Sequence, residues 1–245
     1  MPKSRQGLPW SERELRDRVR AAVKTLWGVR ESQTAKQQAA GRKLDAGIRS
    51  AVTGGQHMNA FTDILRDTAK AAGFAESEIR TRSGIEVAGF YRPNKKWDLV
   101  VIRGERLCAA VELKSMAGSY GNNLNNRTEE ALGSATDVLA AYRKGTLGIN
   151  TPWLGYLFVI REEPKSTTPV RIRESVPAVD PIFQDTSYVQ RYELLCKRMV
   201  LERVYQAAAF ITSPKGTRGD YTEPSADLAI VPFVRGLYGH LIGCV

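Results

Sequence analysis

Lys95-Lys96-Trp97-Asp98-Leu99-Val100-Val101-Ile102-Arg103-Gly104-Glu105-Arg106-Leu107-Cys108-Ala109-Ala110-Val111-Glu112-Leu113-Lys114-Ser115 is the stretch that decides how the rest of the chain is read. Two short apolar runs flank a Gly-Glu turn signal, a pattern that predicts a β-hairpin with both strands largely buried. Three charges interrupt it: Asp98 on the first strand, Glu112 and Lys114 on the second. A buried charge is costly unless it is paired or binds a metal. A solvated ion pair at a strand edge is the plainest account of Glu112 and Lys114.

Register offers a second account. A three-residue loop at Gly104-Glu105-Arg106 pairs Arg103 with Leu107, which sets Asp98 across from Glu112 and Lys96 across from Lys114. Directly opposed residues hold their Cβ atoms roughly 5 Å apart, close enough for two carboxylates to share one divalent ion. Strand alternation places Glu112 and Lys114 on one face. A slip of one residue would undo the arrangement.

With thirteen residues between Asp98 and Glu112-Leu113-Lys114, the spacing resembles the PD-(D/E)XK nuclease signature, Trp97 standing where that motif usually has proline. Glu163-Pro164-Lys165 also fits Glu-x-Lys, but it has no aspartate strand before it and carries a proline in its middle, so it is set aside.

A chain of 245 residues with 42% hydrophobic and 25% charged content is ordinary for a globular protein. No apolar run approaches the ~20 residues that span a bilayer, and the polar, basic start lacks a signal-peptide core. The expectation is a cytoplasmic protein with no membrane partner. Cys108, Cys196 and Cys244 are odd in number and widely spaced, which suggests neither a disulfide framework nor a zinc site. His57 and His240 are the only histidines, too few for chemistries built on histidine ligands. The net charge is +10, and the first 55 residues hold 12 Lys and Arg against 5 Asp and Glu. A concentrated basic segment favours a polyanionic partner.

Ser11 and Glu14 form a capping box that opens a first helix, with Trp10 and Leu15 placed as a hydrophobic staple. Leu15, Val19, Ala22, Val23 and Leu26 supply its apolar stripe, and a second helix is expected over Ser32 to Val52 with Leu44, Ile48 and Val52 on one side. These basic helices suit gripping phosphates, packing on a partner subunit or buttressing the core. The expected division is a basic helical segment over 1–55 and a core domain over 56–245, continuous or separate. A further helix is expected from Met58 to Ala72 with Gly73 as its C-cap and Asp63 and Asp67 on its polar side. Ile79 to Tyr91 reads as strand, turn, strand. After the hairpin, Met116 to Asn126 reads as a polar loop and Thr128-Glu129-Glu130 as the opening of a helix carrying Ala131, Ala135, Val138, Leu139 and Tyr142 inward. Trp153 to Ile160 is a continuous apolar run suited to a central strand. Arg161 to Asp185 is a proline-punctuated loop, Ser187 to Ile211 an expected helix, and Asp227 to Val234 an expected strand whose Pro232 suggests a sheet edge. The order predicts an α/β fold: a mixed central β-sheet flanked by helices, with the hairpin in mid-sheet, an N-terminal helical segment and a C-terminal helix.

Tyr91-Arg92-Pro93 leading to Lys96-Trp97-Asp98, then Glu112-Leu113-Lys114, then Gly121-Asn122-Asn123 through Asn126-Arg127-Thr128-Glu129-Glu130-Ala131 resembles the XhoI-type type II restriction endonucleases. The resemblance implies a homodimer that cuts a palindromic duplex, the family's site being CTCGAG with a 5′ overhang. It also implies a place in restriction–modification defence, where a methyltransferase acts on the same site without needing to bind this chain. Asp98, Glu112 and the Leu113 carbonyl oxygen are the expected Mg²⁺ ligands, with Asp63 as a further candidate, because an acidic residue on the preceding helix can complete such a site. Lys114 is the expected third catalytic residue. Lys95, Lys96 and Arg127 are candidate phosphate contacts; Ser115, Tyr120, Asn122, Asn123, Asn125 and Asn126 complete the candidate DNA-binding set, since asparagine can bridge adenine and arginine can clamp guanine. A junction resolvase or repair nuclease on the same core, and a non-cleaving DNA-binding protein, are the rival readings. Asp180-Pro181-Ile182-Phe183 is a poor match to a methyltransferase amide site, and no Phe-x-Gly-x-Gly loop accompanies it.

Overall fold

The computed structural model describes residues 7–39, 56–148, 150–173, 175–216 and 218–245. The Ser11 box is formed: Ser11 Oγ accepts from the Glu14 N–H, and Glu14 accepts from the Ser11 N–H at 2.8 Å. It opens α1 (Glu12–Ala39), which runs through Ser32 without a break, so no second helix begins there. The expected positions Leu44, Ile48 and Val52 lie outside the described residues. α2 (Asn59–Ala71) follows, and its C-terminal Gly73 takes the left-handed conformation, φ +97°.

Then come β1 (Ile79–Arg80), β2 (Glu86–Ala88), β3 (Asn94–Lys96), β4 (Leu99–Arg103), β5 (Arg106–Met116), α3 (Tyr120–Arg143), β6 (Trp153–Arg161), α4 (Tyr188–Leu201), β7 (Ala207–Ser213) and α5 (Ile230–Ile242). The main sheet has the order β1-β4-β5-β6-β7; β1, β4 and β5 are antiparallel, while β5, β6 and β7 are parallel. β2 and β3 form a separate ribbon. Alternation along the strands divides the interior in two. Val101, Val111, Leu157 and Ile211 pack with α1, α2 and α5 on one face, and Val100, Ala110, Phe158 and Phe210 pack with α3 and α4 on the other. Among the described residues, no helix is long and apolar enough to cross a membrane.

Five expectations are corrected. The hairpin loop has two residues, with Arg103 opposite Arg106 and Ile102 opposite Leu107, not Arg103 opposite Leu107. A β-bulge between Val101 and Ile102 absorbs one residue and restores Leu99 opposite Val111, so Asp98 still arrives beside Glu112. Lys96 does not face Lys114, because β3 pairs with β2 and sets it opposite Glu86. The chain changes partners between Trp97, whose N–H donates to Ile85, and Asp98, whose N–H donates to Val111.

The asparagine-rich stretch is helical, since α3 begins at Tyr120, and Ser119 at its N-cap has φ +52°. Buried Tyr120 and partly buried Leu124 continue the stripe of Ala131, Ala135 and Val138, which outweighs the loop preference of asparagine. The expected helix over Ser187 to Ile211 ends at Leu201, and Ala207–Ser213 is a strand. That run is buried on both faces beside β6, an environment that overrides the helix propensity of its alanines. The expected strand at Asp227 to Val234 is the start of α5, where Pro232 sits in the first turn and its missing N–H costs nothing.

Candidate active site

Where β4 and β5 meet below α3, a cavity of about 790 Å³ opens on the sheet face. Asp98, Glu112, Leu113 and Lys114 line it together with Lys95, Lys96, Ser115 and Arg127, so eight of the sequence candidates are gathered in one place. Glu112 is buried, 5% exposed, and its two carboxylate oxygens are engaged by two ammonium groups, Lys95 at Oε2 and Lys114 at Oε1. Burial alone would raise the Glu112 carboxyl, but Lys114 and Lys95 hold it below the usual glutamate range. Asp98 is half-buried, and its Oδ2 accepts the Leu113 N–H at 2.7 Å. Burial, and then repulsion from Glu112, push the Asp98 carboxyl above the usual aspartate range against the pull of Leu113, Lys114 and Lys95. Lys95 lies 4.4 Å above the buried indole of Trp97, which supports its ammonium from below.

Ser115 is turned away from Lys114 by strand alternation and lines the far end of the cavity, beside His57 and Met58. Its Oγ lies 2.8 Å from His57 Nε2 and accepts from Arg30 Nη2 at 2.8 Å. Burial, and then Arg30, lower His57 to about 4, so the imidazole is neutral; burial and then Arg127 lower Arg30 to about 10. Arg30 thereby ties the basic helix α1 to the residue after Lys114. Its place was readable, since Leu15, Val19, Val23, Leu26 and Arg30 recur at helical spacing with a charge on the buried side.

Other candidates fall elsewhere. Asp63 is on the outer face of α2, paired with Arg66 at 2.9 Å, and does not line the cavity. Tyr120 is buried with its hydroxyl donating to Glu163 at 2.8 Å, which also gives the discarded Glu163-Pro164-Lys165 a structural role. Asn122, Asn125 and Asn126 are exposed on the first turns of α3, and Asn123 is half-buried with its amide donating to Ser119 O. Asp137, which sequence reasoning passed over, lies buried on the cavity wall and accepts three hydrogen bonds from Phe90, Tyr91 and Arg92. Its signal was an acid between Ala135 and Val138 on the buried side of α3.

Among the described residues no group of three or more His, Cys, Asp or Glu side chains gathers as a metal site. The available set is the pair Asp98 and Glu112, with main-chain oxygen nearby. That set fits a hard divalent cation that keeps most of its waters, since a cation between the carboxylates relieves the repulsion that raises Asp98.

The family model for restriction endonuclease XhoI matches residues 36–223. The chain belongs to this family. It is 45% identical over 214 residues to the type II restriction enzyme BstVI of Geobacillus stearothermophilus, covering 84% of this chain and 95% of that one. It is 38% identical over 188 residues to the type II restriction enzyme XhoI of Xanthomonas vasicola, with 75% of each covered. AbrI of Azospirillum brasilense, also a type II restriction enzyme, is 41% identical over 152 residues, covering 61% of this chain and 68% of that enzyme. No solved structure gives a significant match. Within the matched region of the family lie the whole cavity wall from His57 to Asp137 and the sheet that carries it.

Proposed function

We propose that the chain is a site-specific deoxyribonuclease that acts as a homodimer on a short palindromic duplex and cuts both strands by Mg²⁺-dependent hydrolysis. The resemblance to the XhoI-type enzymes suggests CTCGAG with a 5′ overhang, and a role in restriction–modification defence. The observation that carries the reading is the meeting of Asp98, Glu112 and Lys114 at one cavity on two adjacent strands, in a chain of this family.

Asp98, Glu112 and the Leu113 carbonyl would hold the ion. When bound, Mg²⁺ supplies charge neutralisation at the phosphate and a lowered pKa for water. Lys114, two residues beyond Glu112 on the same strand face, would orient the attacking water or help remove its proton, and its cation would stabilise the charge that builds on the phosphate oxygens. In-line attack on phosphorus displaces the 3′ oxygen and leaves a 5′-phosphate and a 3′-hydroxyl. Trp97 and Lys95 keep Glu112 in place from below. Lys96 would meet phosphates at the cavity rim, and Arg127 would join it on exchanging Glu130 for phosphate, both holding the duplex without choosing its sequence.

Digestion of a plasmid with and without Mg²⁺, with the ends mapped, is the direct test. Defined fragments with palindromic ends only in Mg²⁺ are expected. Lys114→Ala should keep duplex binding while cleavage falls by orders of magnitude, and normal cleavage by the purified variant would overturn the assignment.

A further inference from the structure

Tyr91-Arg92-Pro93 takes no part in the chemistry above, yet it stands at the mouth of the same cavity. It forms the tip of the β2–β3 ribbon, where Ala88 pairs with Asn94 and the Gly89 N–H donates to Pro93 O. Tyr91 and Arg92 line the cavity with Asp98 and Glu112.

The tip is fixed from the side. Asp137 Oδ1 accepts the N–H groups of Phe90 at 2.7 Å and Tyr91 at 2.8 Å, and Oδ2 accepts Arg92 Nε–H at 2.7 Å. Burial alone would raise the Asp137 carboxyl, but these donors hold it below the usual aspartate range. Gly89 permits the approach, since a Cβ there would lie 2.4 Å from Asp137 Oδ2 and 2.6 Å from Arg92 O. The result of this construction is exposure. Phe90 is 48% and Tyr91 73% exposed, their rings edge to face at 4.9 Å. Folding gains nothing by showing water two large aromatic rings, so adjacent rings carried on a tip whose main chain Asp137 holds are suited to an outside surface.

Charge selects that surface. Lys144 lies 5.8 Å from the Phe90 ring, and Arg92, Lys95 and Lys96 run from the tip into the cavity. A second copy docked tip to tip would bring this local cluster of cations against its own kind, wherever else on the chain a dimer forms. Duplex DNA offers phosphates to the basic groups and flat bases and sugars to the rings, and aromatic or apolar wedges beside basic residues suit its grooves. We propose that the β2–β3 tip is a DNA-contacting finger, in which Phe90 and Tyr91 pack on deoxyribose and base next to the phosphate to be cut, and Asp137 is its positioning residue. The finger rests on the duplex-cutting function proposed above.

Fluorescence anisotropy of a labelled CTCGAG duplex, with Ca²⁺ in place of Mg²⁺, tests it on the full chain. Phe90→Ala and Tyr91→Ala are exposed changes and should leave circular dichroism and melting as in the wild type. Duplex affinity should fall roughly tenfold for Tyr91→Ala, the loss of about one stacked contact, and Tyr91→Phe should recover most of it. Asp137→Asn should weaken binding in the wild-type background but not in the Phe90→Ala/Tyr91→Ala background, whereas a merely structural role would weaken both. Unchanged affinity of the aromatic variants overturns the finger, and so does a shift from dimer to monomer in sedimentation, which would assign the tip to a subunit interface. The wild-type digest run alongside separates the two ideas: cutting by a wild type whose tip variants bind normally sinks the finger alone. A wild type that neither binds nor cuts the duplex sinks function and finger together.

Discussion

Asp98 is held in a place that folding alone would not choose. Burial and the neighbouring Glu112 charge raise its carboxyl above the usual range, so the ionised form works against the folded state. Asparagine has the same shape and can still accept the Leu113 N–H, without the repulsion. Asp98→Asn should therefore stabilise the metal-free protein by on the order of 1 kcal/mol, roughly 2–4 °C in melting temperature for a chain of this size, while abolishing Mg²⁺-dependent cleavage. The sign of the pH dependence follows from the raised value. Below the ordinary aspartate value of 3.8 the carboxyl is protonated in both folded and unfolded states, and the gain of asparagine vanishes. It appears as pH rises above that value and is complete once the folded carboxyl has ionised. Thermal melts of both proteins in EDTA across the pH range check this, and an equal or lower melting temperature for the variant at neutral pH would sink the account. The three charged residues were legible because charge in an apolar strand is expensive and therefore conspicuous. Asp137 and Arg30 were less so, because on a helix a charge at a buried position differs from a surface charge only by its phase.

At the scale of elements, what could be read was what local pattern decides. The capping box at Ser11, the stripe of α2 with Gly73 behind it, and the apolar run of β6 each carry their own signal, and each formed. The stretches that differed are those where tertiary burial competes with local preference. Ala207 to Ser213 resembles helix by composition and is a strand because it lies between β6 and two layers of helices. The start of α3 is helical because Tyr120 is anchored, though its asparagines favour turns. The hairpin loop and the bulge are each one residue from expectation and cancel, since burial of the strands fixes register more firmly than the turn does. The same burial makes a test on β6. Gly155 lets the Trp153 indole fold over its own strand against Phe233 of α5, rings 5.2 Å apart, and a Cβ there would fall 2.3 Å from the indole. Gly155→Ala should cost about 1–3 kcal/mol by overpacking, seen as a lower urea midpoint. Cleavage per folded molecule should hold, since α5 covers the sheet face away from Glu112 and Lys114. An unchanged midpoint would mean that the Trp153–Phe233 contact yields freely.

Over the whole molecule, the charge of +10 is a fact about partners more than about fold. Most cations near the carboxylates are already committed within the chain: Lys95 and Lys114 to Glu112, Arg92 to Asp137, Arg127 to Glu130. Lys96 is different. Its side chain is 74% exposed, and its pairing with Glu86 across the ribbon spans 3.5 Å, a surface contact of little energetic weight. A side chain so placed is available to a phosphate, and a phosphate contact leaves a particular signature. It releases condensed counterions, so the logarithm of affinity falls with the logarithm of salt concentration by about 0.9 for each contact. Lys96→Ala should reduce that slope by about one and weaken cognate and unrelated duplexes alike, because a phosphate carries no sequence. Anisotropy titrations of both duplexes over a range of salt measure the two quantities together. An unchanged slope would remove Lys96 from the phosphate contacts. A loss confined to the cognate duplex would make it a reader of bases instead, and the sequence preference of this enzyme would then begin on the same ribbon whose tip carries Phe90 and Tyr91.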